Sequence, residues 1–253
     1  TADGCALCAN GGDGMPRFFL DETIGDTVTI TGGDARHIAL SLRMQTGDAL
    51  TLCNGRGTDY ACRITALSPE SVTLAVEETT DSKSEPSVAV TLYQGLPKGD
   101  KLELIVQKAV ELGVTRIVPV VTARSIARES ARDQKKTARL QKIANEAAGQ
   151  SGRGILPTVE APVSFAAAAA RMAGENTVVL YECGGAPLRE TVKDAPRTLS
   201  LFVGPEGGIA PDEVETLLKN GARAATLGPR ILRCETAPIA ALAAVMALTG
   251  NMD

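Results

Sequence analysis

The chain has 253 residues, 44% of them apolar and 22% charged, enough to bury one large core or two modest ones and too apolar for wholesale disorder. A net charge of -4, no Trp and an aromatic content of 3% weigh against a strongly cationic nucleic-acid binder and against binding built on many stacked bases. Charge is unevenly spread: between Lys98 and Arg153 there are 12 Lys/Arg against 6 Asp/Glu, a locally basic stretch in an acidic protein.

In chain order, residues 1–14 (TADGCALCANGGDG) are Gly-rich and aperiodic. They are expected to be a disordered extension, with Met15 as a candidate natural start. From Arg17 to about Glu78, the runs TVTI, ALTLC, DYACRITAL and SVTLAVEE alternate with turn residues and predict strands of a small β-barrel or sandwich over residues 15–80. Between the first two lies GGDARHIALSLRM, which predicts one short helix. His37 within it reads as a packing or capping residue. The polar stretch 79–87, ending near Pro86, is the linker expected before a second domain at 87–253.

After the linker the pattern changes. VAVTLYQGL, RIVPVV, TVVLYE, LSLFVG and ARAATLG are continuous apolar runs. They alternate with helical segments at 101–112, 135–150, 164–172 and 211–221 and with a final apolar helix from Ala237. Such alternation is the signature of a buried parallel sheet covered by helices. The six cysteines have no framework spacing, and one C-x-x-C pair with a single histidine leaves no zinc ligand set. They are read as reduced thiols of a cytosolic protein. No run is long and apolar enough to span a bilayer.

In open α/β sheets, ligands bind at the carboxyl ends of the strands. Three predicted strand ends carry unusual loops: LYECGG after Leu180, VGPEGG after Val203 and LGPRILRCET after Leu227. The GPEGG turn lacks the Lys and Ser/Thr of a phosphate cradle and is not a dinucleotide fingerprint. Taken alone, it reads equally as a plain strand-to-helix turn. In the last loop Arg230 and Arg233 flank the apolar pair Ile231-Leu232, which suggests a ligand wall. Pairing of Arg233 with Glu235 for stability is the alternative.

LFVGPEGGIAPDEVE followed by LGPRILRCETAPIAAL resembles the RsmE family of bacterial 16S rRNA uridine-N3 methyltransferases, of the SPOUT class. The likeness extends to HIALSLRMQTGD, NGRG, LPKGDKLELIVQKAVELGVTRIVPVVTARSI and LQKIANEAAGQSGRGILPTV, from Met15 to Gly250 in order. It implies a PUA-like β-barrel followed by an α/β domain with a parallel sheet and a deep trefoil knot. It also implies S-adenosylmethionine as cofactor, a homodimer through the knotted domain, and methylation of one uridine (uracil-1498) of 16S rRNA in the small subunit. By motif match, the cofactor would be held by Leu180, Tyr181 and Glu182, by Gly204, Pro205, Glu206, Gly207 and Gly208, and by Leu227, Gly228, Ile231, Leu232, Arg233 and Thr236. Arg233 is the first candidate to stabilise charge on the base, with Arg230 second. Glu206 and Glu235 are candidate proton acceptors, and a water or an rRNA group is the alternative. RNA contacts would come from Arg17, Arg36, Arg43, Arg124, Gln150 and Arg153, and an RNA contact is the alternative to a packing or capping role for His37. A SPOUT enzyme acting at another RNA position and a non-catalytic ribosome-assembly factor are the competing readings.

Overall fold

The computed structural model describes residues 9–10, 15–20, 24–125, 133–192 and 196–252. The chain forms two compact units, one of residues 1–85 and 145–156, the other of 86–144 and 157–253.

The first unit is built on a six-stranded sheet. Its strands are β1 (Ala9–Asn10), β2 (Pro16–Phe19), β3 (Thr27–Thr31), β4 (Ala49–Cys53), β5 (Thr58–Leu67) and β6 (Ser71–Asp81). They pair in the order β1-β2-β4-β5-β6-β3, with β2–β4 parallel and the other pairs antiparallel. Alternating apolar residues put Val28 and Ile30, Leu50 and Leu52, and Val72 and Leu74 on one face, around Phe18 and Ile64. Each of the larger side chains contributes about 1.5–3 kcal/mol by leaving water. β6 runs through Asp81, so the first residues of the expected linker are strand, and the unit boundary falls at Glu85/Pro86. The disorder expected of residues 1–14 lies outside the described residues apart from Ala9 and Asn10, which pair with β2.

The helix expected near residue 37 is one turn of α-helix, α1 (Gly33–Arg36), continued by a π-helical turn at His37–Ser41. The wider turn is closed by Leu42 N–H donating to the His37 carbonyl at 2.9 Å. It buries Ile38 and leaves Arg36, Leu40 and Arg43 exposed. The His37 ring packs edge-on against Phe18, with centroids 6.5 Å apart.

The second unit is an α/β layer structure. Its elements are β7 (Ala89–Gly95), α2 (Lys101–Glu111), β8 (Val114–Val121), α3 (Asp133–Gln150), β9 (Thr158–Val159), β10 (Val163–Ser164), α4 (Phe165–Met172), β11 (Thr177–Leu180), β12 (Ala186–Pro187), α5 (Leu188–Thr191), β13 (Thr198–Val203), α6 (Pro211–Lys219), β14 (Arg223–Thr226) and α7 (Thr236–Leu248). The last residues of α3 belong to the first unit. Every strand pair in this sheet is parallel. The order is β10-β8-β7-β13-β11-β14-β12, with β9 beside β8. All four residues of β11 and the last five of β13 are buried, as their unbroken apolar runs require. Pro211 opens α6, and the Glu213 carboxylate caps it by accepting from Ala210 N–H at 3.1 Å. α7 packs on α2 and α5.

Candidate functional site

The parallel order places β13, β11 and β14 side by side, so the loops leaving their carboxyl ends converge. They enclose a cavity of about 700 Å³ within the second unit. Its wall includes Leu180, Tyr181 and Glu182 from the first loop, Gly204, Pro205, Glu206 and Gly208 from the second, and Leu227, Gly228, Ile231, Leu232 and Arg233 from the third. Gly207 and Thr236, expected in the same set, are not part of the wall: the Gly207 carbonyl accepts from Arg124 Nη1 at 2.8 Å, and Thr236 is exposed at the start of α7.

The GPEGG turn is held from several sides. Gly208 N–H closes it onto the Pro205 carbonyl at 2.9 Å. The buried Gln94 of β7 donates to the Gly95 and Gly204 carbonyls at 3.0 and 3.4 Å. Gly208 has φ +69°, and a Cβ there would lie 2.6 Å from Glu182 Oε1. The left-handed φ is what favours glycine here, since the Glu182 carboxylate at the end of a flexible side chain can move away.

Charge gathers at one edge of the cavity. Lys101 Nζ lies 3.0 Å from Glu206 Oε1 and 3.2 Å from Glu235 Oε2. Glu206 also accepts from Lys98 N–H at 3.1 Å, and Cys234 Sγ donates to Glu235 Oε2 at 3.2 Å. Partial burial works to raise the Glu206 carboxyl, but the hydrogen bonds from Lys101 and backbone amides outweigh it and hold the pKa below its ordinary value. Glu235 is lowered too, first by the Cys234 thiol and also by Lys101. Burial, and then the bond to Glu235, push the Cys234 thiol up to about 12, so it is a donor rather than a nucleophile. The Lys101 ammonium is stabilised first by Glu206. Glu235 therefore pairs with Lys101, not with Arg233. The side chains of Arg230 and Arg233 are exposed and form no hydrogen bond or ion pair among the described residues.

The expected RNA contacts divide. Arg36, Arg43, Arg124 and Gln150 are exposed. Arg17 and Arg153 correct the expectation: both are buried inside the first unit. Arg17 holds Asp59 through two hydrogen bonds, and Arg153 Nη2 lies 2.7 Å from Glu85 Oε2. A guanidinium enclosed with its own carboxylate has no fork left for a phosphate, and stripping it away would leave a buried charge.

Residues 83–246 match the model of an RNA methyltransferase domain, and residues 30–77 match that of an RNA methyltransferase PUA domain. The ribosomal RNA small subunit methyltransferase E of Bacillus subtilis is 38% identical over 245 residues, covering 91% of this chain and 96% of its own. The chain belongs to the RsmE family. The Synechocystis member is 34% identical, covering 90% of this chain and 75% of its own. Among solved structures, an RsmE from Neisseria gonorrhoeae bound to S-adenosylmethionine superposes with a TM-score of 0.83 at 33% identity, covering 92% and 98% of the two chains. A Legionella pneumophila chain in complex with bound S-adenosylmethionine gives 0.79 at 27% identity, covering 91% and 96%. The small β unit and the parallel α/β unit are thus the PUA-like and methyltransferase parts of an RsmE-family chain.

Sequence reasoning missed Lys101 in this RsmE-family site. One local signal was available. A lysine as the first residue of α2 opposes the helix dipole, which favours acidic residues there, and such a violation needs a compensating partner.

Proposed function

We propose that the protein is an S-adenosylmethionine-dependent methyltransferase that modifies N3 of one uridine in small-subunit rRNA. The observation that carries this reading is the convergence of three loops, from adjacent parallel strands, on one cavity in a chain of the RsmE family. Its volume suits a cofactor-sized ligand. Its chemistry fits a nucleoside carrying an amino-acid tail. Leu180, Val203, Ile209 and Leu232 offer apolar cover for a flat base, the Gly204–Gly208 turn brings backbone close, and Glu182 supplies a polar handle.

When bound, the cofactor supplies an electrophilic methyl group on a sulfonium. The chain must orient the uracil and stabilise the charge that appears on it when N3 loses its proton. Arg233 is assigned that electrostatic role, because its fork has no hydrogen-bond or ion-pair partner among the described residues and lies on the cavity wall. Arg230, equally without a side-chain partner among the described residues, is assigned to the substrate side. Glu206 and Glu235 are weak proton acceptors, because both are held ionised by hydrogen bonds that lower their basicity. They are assigned to placing the loops, and the N3 proton to water. Arg36, Arg43, Arg124 and Gln150 are assigned to RNA backbone contacts that position without reading sequence. Homodimerisation, the trefoil knot and a cytoplasmic location belong to the same reading.

The test is transfer of labelled methyl from S-adenosylmethionine to 30S subunits, protein-free 16S rRNA and tRNA, with the product nucleoside mapped. Label at N3 of a single 16S uridine is the expected result. Label on a ribose hydroxyl would replace it with another methyl transfer. Cofactor that never binds would leave an assembly factor.

A further inference from the structure

We infer that Lys101 is a positioning residue of this cavity: its ammonium clasps the Gly204–Gly208 turn to the entry of α7 by holding Glu206 and Glu235 at once. The inference rests on the reading of the cavity as the cofactor site.

Three separate pieces of chain meet at Nζ. Lys101 opens α2, Glu206 sits in the loop after β13, and Glu235 immediately precedes α7. The two contacts, at 3.0 and 3.2 Å, use two of the three ammonium protons, and the third side of the ammonium faces Cys234 Sγ at 3.8 Å. The clasp is reinforced at both ends. Glu206 is pinned by the Lys98 amide at 3.1 Å, and Glu235 by the Cys234 thiol at 3.2 Å. Lys101 itself lines the cavity, as do Glu206 and Cys234.

The alternative is a surface ion pair of no consequence, such as Lys219 with Glu215 on α6, where both side chains are largely exposed. Lys101 differs in three ways. It is two-thirds buried, it bridges elements 105 or more positions apart in the chain, and it stands where the helix dipole disfavours a cation. Without it, two carboxylates on opposing loops would face each other unneutralised at the cavity edge, and like charges would drive the loops apart. Both loops carry residues assigned to cofactor and substrate, so their spacing sets the width of the site.

The test uses the full-length chain with K101Q, K101R, E206Q and E235Q, and with K219Q as control. Amide hydrogen exchange is followed without ligand, and S-adenosylhomocysteine binding is followed by calorimetry. In K101Q, exchange through residues 204–208 and 234–237 should rise, and affinity should fall, each on the order of tenfold, for an ion pair that is partly enclosed. K101R should recover most of both. E206Q should loosen chiefly the 204–208 turn and E235Q chiefly the start of α7, which a general loss of stability would not do. K219Q should change neither. Exchange in K101Q that matches wild type in both segments overturns the clasp. If wild type fails to bind S-adenosylhomocysteine, the cofactor reading fails, and hydrogen exchange on the ligand-free chain still decides the clasp.

Discussion

Arg153 and Glu85 lock together inside the first unit. Arg153 Nε and Nη2 donate to the Glu85 carboxylate at 2.9 and 2.7 Å, and the same carboxylate accepts from the Gly154 and Ile155 amides at 2.7 and 3.0 Å. One acid thereby anchors the segment 145–156 to the strands that precede it by more than sixty residues in sequence.

The pair is a stability device with a defined pH signature. Burial works to raise the Glu85 carboxyl, but the guanidinium and the two amides outweigh it and hold the pKa below its ordinary value. A carboxyl depressed in the folded state contributes stability above its unfolded value of 4.5, and that stability is lost as pH falls through the folded value. E85Q should cost about 3 kcal/mol at neutral pH, because it leaves a buried guanidinium without its counter-charge. The acid limb of the thermal-melting profile should flatten in the variant. A melting temperature equal to wild type at pH 7 would show the pair to be dispensable.

Gly208 in the GPEGG turn and Gly95 of β7, which lies against it, should respond differently to the same added methyl group. At Gly208, a Cβ meets the far end of the Glu182 side chain, which can swing aside, so the cost is the left-handed backbone alone, about 1 kcal/mol. At Gly95, a Cβ would lie 2.6 Å from Pro205 Cδ and 2.8 Å from Pro205 N, so the turn itself must move. G95A should therefore lower S-adenosylhomocysteine affinity and melting temperature more than G208A. Calorimetry on both variants checks the order.

The buried parallel strands were legible because an unbroken apolar run such as TVVL or LFV is stable only with helices on both faces. The three loops were legible because Gly, Pro and Arg cluster where strands end. The two-residue strands β9, β10 and β12 and the four-residue helix α5 were not, because pieces that short carry no period and exist only through their neighbours. Arg17 and Arg153 misled for a related reason. Their partners Asp59 and Glu85 lie 42 and 68 positions away, and a sequence shows a charged residue without showing what neutralises it. Lys101 was missed the same way, 133 positions from Cys234.

Arg233 should separate chemistry from cofactor binding. Its side chain is exposed on the cavity wall and makes no hydrogen bond or ion pair among the described residues, so R233A should leave melting temperature within a degree or two of wild type, as for surface substitutions that break no packing. Methyl transfer to 30S subunits should fall on the order of 100-fold or more, the usual cost of losing one group that stabilises developing charge. R230A should fall less and mainly raise KM. Equal losses in both variants would move the role away from Arg233.

The cysteines offer a test of the site's electrostatics that needs neither substrate nor cofactor. Cys183 is exposed in the loop after β11, whereas Cys234 is buried beside Glu235 with its thiol pushed up to about 12. Alkylation requires the thiolate. Raising pH toward 9 therefore still leaves Cys234 protonated, and iodoacetamide should label Cys183 while sparing Cys234 across that range. After burial, the Glu235 carboxylate that accepts the thiol's hydrogen bond is the next cause of the raised pKa, so with E235Q Cys234 labelling at pH 9 should increase. Peptide mapping of the alkylated protein reads both outcomes. Rapid labelling of Cys234 in the wild-type chain at pH 8 would show that the thiol is not held as a donor to Glu235, and the electrostatic arrangement around Lys101 would have to be redrawn.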